Sequence, residues 1–70
     1  MVLSQGKVNV PYTVADFRGT PEDKNLLMKM GFIVSKPLRI LNKSTSILTV
    51  ATNNKQIRIS TSMASKVLVR

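Results

Sequence analysis

Asp16, Glu22 and Asp23 are the only acidic side chains in these 70 residues, and cysteine and histidine are both absent. That inventory limits the chemistry before any fold is considered. Without a thiol or an imidazole there is no disulfide, thiolate nucleophile, ordinary zinc centre or histidine base. Hydrolysis needs a paired acid and base or an activated nucleophile, and neither can be assembled from these residues. There is no glycine-rich phosphate loop for nucleotide binding. Met28, Met30 and Met63 are soft donors, but apolar packing accounts for them. The chain is therefore expected not to be an enzyme and to carry no cofactor and no metal site.

Charge points elsewhere. Eleven Lys and Arg against three acids give a net +8. The acids all fall between positions 16 and 23, so the chain from Lys24 to Arg70 has no negative side chain. Such a surface attracts nucleic acid, acidic lipid headgroups or an acidic protein, and it repels a free cation. The basic residues are spread singly from Lys7 to Arg70, with no run of them.

A chain of this length predicts one domain, residues 1–70, burying only roughly 60% of its unfolded surface. That leaves little protein for both a core and a deep cleft, which again favours a binding module. The first residues lack the charged start and apolar run of a signal peptide. No apolar stretch approaches the ~20 residues of a membrane span. A soluble, cytoplasmic protein is expected.

The elements follow from local signals. Residues 1–10 read as a loose lead-in. Tyr12–Phe17 reads as a first strand, with Tyr12 and Val14 on one face and Pro11 just ahead of it, where a missing N–H is tolerated. Thr20 is a helix cap and Pro21 suits the first helical position. Glu22 and Asp23 complement the positive end of the helix dipole, Asp23 can complete a capping box, and Gly31 ends the helix. This predicts a helix over 21–30 with Leu27 and Met30 on its buried stripe, Leu26 at the edge and Met28 pointing away. Strands follow at 38–41, 47–52 and 56–60, with Ile57 and Ile59 inward and Arg58 outward. Asn42–Ser46 is a polar loop, and Asn53-Asn54 a hairpin turn. One helical turn over 61–65 places Met63 and Ala64 underneath, and Lys66–Arg70 closes the sheet. Five short strands must curl to cover their inner face. The expected fold is mostly β, a small five-stranded barrel with one short α-helix inserted after the first strand.

In this order and spacing the chain resembles the FeoA domain family over about residues 12–69. The family's helix ends in Leu, two variable residues, Leu or Met, then Gly and an aliphatic residue; here this is Leu27-Met28-Lys29-Met30-Gly31-Phe32. A strand follows, here Leu38-Arg39-Ile40-Leu41. The second signature is an alternating strand, a turn with Ala and a final aliphatic strand, here Ile57-Arg58-Ile59-Ser60, Met63-Ala64 and Val67-Leu68-Val69. Three positions depart from the pattern. Leu26 stands where the family usually has Arg, and Val34-Ser35 where it often has Pro-Gly. The polar loop Asn42–Ser46 replaces a longer one rich in Pro and Gly. The resemblance implies an SH3-like barrel and a non-catalytic, cytoplasmic accessory protein of bacterial ferrous iron uptake. Its implied partner is the cytoplasmic part of a FeoB-type ferrous iron transporter. The family's barrel also occurs in metal-dependent repressors behind a DNA-binding helix pair; none is read in this sequence, so a repressor is not expected.

On this reading Leu26, Met28 and Lys29 supply the centre of a partner-binding surface. Arg39, Lys43, Lys55 and Arg58 steer it toward an acidic protein surface or the inner leaflet. The alternative, from a different class, is a basic barrel that binds nucleic acid through a charged face. Against it, Tyr12, Phe17 and Phe32 are the only aromatics, and two of them are needed for the core.

Overall fold

The computed structural model describes residues 1–52 and 55–70. Its strands are β1 (Pro11–Phe17), β2 (Pro37–Lys43), β3 (Ile47–Thr52), β4 (Lys55–Ser60) and β5 (Val67–Val69). Helix α1 spans Pro21–Met30, and a single turn, α2, spans Thr61–Ala64. The five strands form one antiparallel sheet in the order β4-β3-β2-β1-β5. The expected hairpin turn at Asn53-Asn54 lies outside the described residues.

Period-two burial builds the sheet's inner face. Leu38 and Ile40, Leu48 and Val50, and Ile57 and Ile59 are buried, while the residues between them face outward. These six join Leu27, Phe32, Val14, Ala64, Val67 and Val69 in one apolar cluster, with Tyr12, Phe17, Met30 and Met63 packed against it. The sheet bends because β1 changes partners midway. Its first half pairs with β2 (Tyr12↔Leu38), and its second half with β5 (Phe17↔Val67), past an irregularity between Val14 and Asp16.

Two expectations need correction. The last strand does not close the sheet: β5 pairs with β1, and no β4–β5 ladder joins the edges among the described residues. Instead α2 lies against β3, β4 and a 3-10 turn at Leu3–Gln5, and that turn in turn contacts β5. Two short helical pieces thus plug the gap between the edge strands, which keeps the SH3-like shape without a closed ring of hydrogen bonds.

Residues 1–10, secondly, are not a loose lead-in. Leu3 is fully buried, Val2 bridges to Leu68, and Val8 bridges to Ile40. The Lys7 amide donates to the Tyr12 hydroxyl at 2.8 Å, and Lys43 Nζ donates to the Gly6 carbonyl at 3.0 Å. Gly6 is packed so closely that a Cβ there would sit 2.8 Å from Ile40 Cδ1. A barrel this small recruits any available leucine to complete its core, and the five apolar residues of 1–10 (Met1, Val2, Leu3, Val8 and Val10) follow no single period that would mark Leu3 as the buried one.

Helix α1 is as its residues predict. The Thr20 hydroxyl accepts from the Asp23 amide at 3.2 Å, and an Asp23 carboxylate oxygen accepts from the Thr20 amide at 3.1 Å. Together these make a reciprocal capping box. Gly31 ends the helix at φ 121°, and a Cβ there would lie 3.0 Å from Ile57 Cδ1.

Candidate docking surfaces

The seven residues expected to meet a partner do not form one patch. Leu26, Met28 and Lys29 lie on α1 and are exposed. With roughly 100° per residue, Leu26 and Met28 fall on opposite flanks of the buried Leu27, and Lys29 faces solvent between them. The helix therefore presents two apolar shoulders around a cation. Lys55 is near this surface, its Cδ and Nζ each 3.6 Å from where a Gly31 Cβ would sit. Arg39 and Arg58 are elsewhere: both point outward from the sheet, opposite Ala51 and Thr49 respectively on β3. Lys43 is exposed overall, but its ammonium is engaged by the Gly6 carbonyl, so it braces the N-terminal segment.

Sequence reasoning did not mark two further exposed apolar side chains in this region. Ile33 and Val34, in the loop after α1, are 51% and 44% exposed, beside Leu26 at 50% and Met28 at 51%. Half of the large apolar side chains exposed among the described residues thus fall within positions 26–34. The signal was the run Phe32-Ile33-Val34: once Phe32 turns into the core, its two neighbours are left outside.

Of the three acids, Asp23 is the one committed to a long-range contact. Asp23 accepts from Lys66 Nζ at 2.9 Å, the one salt bridge among the described residues, which ties the start of α1 to the start of β5. The Lys66 ammonium first, and then the Thr20 amide, hold the Asp23 carboxyl below its ordinary value. Among the described residues no three His, Cys, Asp or Glu side chains converge. Among the described residues no helix is long and apolar enough to cross a membrane.

A curled five-stranded sheet with a capped helix after its first strand and a continuous apolar core defines a small SH3-like module. The family model of the FeoA domain matches residues 1–70, and the chain belongs to that family, which is associated with ferrous iron transport. Solved structures agree in fold. An iron uptake regulatory protein (FeoA) superposes with a TM-score of 0.92 at 18% identity, covering 100% of this chain and 95% of that one. Stenotrophomonas maltophilia FeoA complexed with zinc, described as a prokaryotic SH3 domain protein, gives 0.77 at 21% identity, covering 100% and 89%. ScaR, solved with bound Zn2+, gives 0.87 at 18% identity, covering 99% of this chain but 35% of its own. At these identities the likeness is one of fold. No curated protein matches the chain in sequence.

Proposed function

We propose that this protein is a non-catalytic cytoplasmic accessory factor of ferrous iron uptake that docks on the cytoplasmic part of a FeoB-type transporter. The observation that carries the reading is the concentration of exposed apolar side chains within positions 26–34, on both flanks of α1 and in the loop after it: Leu26, Met28, Ile33 and Val34, with Lys29 on the helix between its flanks and Lys55 beside Gly31. On a chain of net +8, exposed apolar groups gain most by burial against another protein, each worth about 1–2 kcal/mol when covered. The cations around them speed encounter with an acidic surface and add little to affinity. Membership of the FeoA family supports the choice of partner.

Calorimetric titration with the transporter's soluble GTP-binding domain tests this. Met28→Asp should weaken binding by at least about tenfold, in keeping with loss of an interfacial anchor. Its thermal unfolding should drop by only a few degrees, roughly the cost of an aspartate near the C-terminal end of α1, because Met28 is half exposed and outside the core. Unchanged affinity for both Met28→Asp and Leu26→Asp would remove α1 from the interface.

A further inference from the structure

The side of the sheet turned away from α1 carries a second surface. The residues between the buried positions of β2, β3 and β4 place Arg39, Leu41, Ala51, Thr49 and Arg58 on one outer face. Across it, Pro11 pairs with Arg39, Arg39 with Ala51, and Thr49 with Arg58. Pro11, Pro37, Leu38, Arg39, Leu41 and Ala51 line an open depression of about 260 Å³. Its floor is low because Ala51 is small and the strand irregularity between Ile40 and Asn42 re-aims Leu41.

Neither arginine has an acidic partner: the only salt bridge among the described residues is the remote Asp23–Lys66 pair. No carboxylate occurs anywhere in β2, β3 or β4. The face therefore holds an apolar depression with Arg39 in its lining, and a second unpaired guanidinium, Arg58, stands outside that lining on β4, two strands away; guanidinium groups take carboxylates in bidentate fashion.

We propose that this outer face binds an extended acidic–apolar peptide segment of a partner protein, with an apolar side chain in the depression and carboxylates on Arg39 and Arg58. The spacing suits a strand. Two strands and two residues separate the arginines, roughly 12 Å between Cα atoms, close to the roughly 13 Å between positions i and i+4 of an extended peptide. The ligand pattern is acid, spacer, apolar, spacer, acid. Nucleic acid fits less well, since bases stack on aromatic rings and none lies here: Phe32 is buried, and Tyr12 and Phe17 pack on the core. A membrane fits less well too, because Leu41 and Ala51 are half-buried in a hollow and do not project. This surface is separate from the α1 surface, and its test is independent of the transporter.

The probe is the synthetic peptide acetyl-Glu-Thr-Leu-Thr-Glu-amide, titrated into isotope-labelled protein and followed by amide shifts. Saturable shifts are expected at Arg39, Leu41, Thr49, Ala51 and Arg58, with none on α1. Arg39→Glu and Arg58→Glu, both at exposed positions, should each weaken the peptide about fivefold. The double variant should prefer the Lys-for-Glu peptide over the original. Met28→Asp should leave peptide binding unchanged, so failure here is distinguishable from failure of the α1 docking. Three results would overturn the proposal: no saturable shifts at millimolar peptide, equal binding of the Lys-for-Glu peptide by the wild type, or larger shifts at the same residues with phosphatidylglycerol vesicles or oligothymidine than with the peptide.

Discussion

At Ser35 the backbone is held at φ 74°, a conformation that side-chain-bearing residues avoid. The Lys36 amide donates to the Ile33 carbonyl at 3.1 Å, so Ser35 is the third residue of a tight turn whose geometry calls for glycine there. Val34-Ser35 stands where the FeoA pattern often has Pro-Gly, and the fold keeps that turn without its preferred residues. Ser35→Gly should therefore stabilise the protein by about 0.5–1 kcal/mol, read as a higher urea midpoint at unchanged slope. Gly31 is the converse case. Gly31→Ala meets both a positive φ and Ile57 Cδ1 at 3.0 Å, and should cost about 1–3 kcal/mol in the same assay. The glycine at 31 was legible in the sequence because it ends a helix with a readable start. The turn at Ser35 was not, because serine does not announce a positive φ.

Among the elements, α1 joins local signals to tertiary ones. Its capping residues and buried stripe were readable because each acts within one or two turns of the chain. The Lys66 partner of Asp23, 43 positions away, could not be read locally. The bond has a pH signature. The folded-state carboxyl titrates below its unfolded value, so its contribution is fully present above that value and is lost as pH falls through the folded one. Stability should decline below about pH 4 more steeply in the wild type than in Asp23→Asn, as measured by thermal unfolding across pH. The N-terminal segment teaches the opposite lesson. Residues 1–10 carry no period, yet Leu3 is fully buried. Leu3→Ala should cost about 2–5 kcal/mol, the range for a large-to-small change in a core. A loss below 0.5 kcal/mol would restore the segment to a dispensable lead-in. The strands themselves were visible in the alternation of Leu38/Ile40 and Ile57/Ile59. The partner of β5 was not, since hydrophobic alternation fixes a strand's face and leaves its neighbour open.

For the molecule as a whole, the sheet separates two surfaces that the linear sequence had merged. Leu26, Met28 and Lys29 belong to α1 on one side, and Arg39 and Arg58 to the outer sheet face on the other. Only the topology could divide them, because exposure can be read from patterning but adjacency cannot. The buried apolar residues form one cluster from Leu3 to Val69, so unfolding in urea should be a single transition by both circular dichroism and amide signals. The central claim, that α1 and its following loop are the docking surface for a transporter, is tested most directly by an amide-shift titration with the transporter's soluble cytoplasmic domain. Shifts concentrated at Leu26–Val34 and persisting at high salt are the predicted result. Shifts confined to the basic strands, lost at high salt and reproduced by nucleic acid, would contradict it.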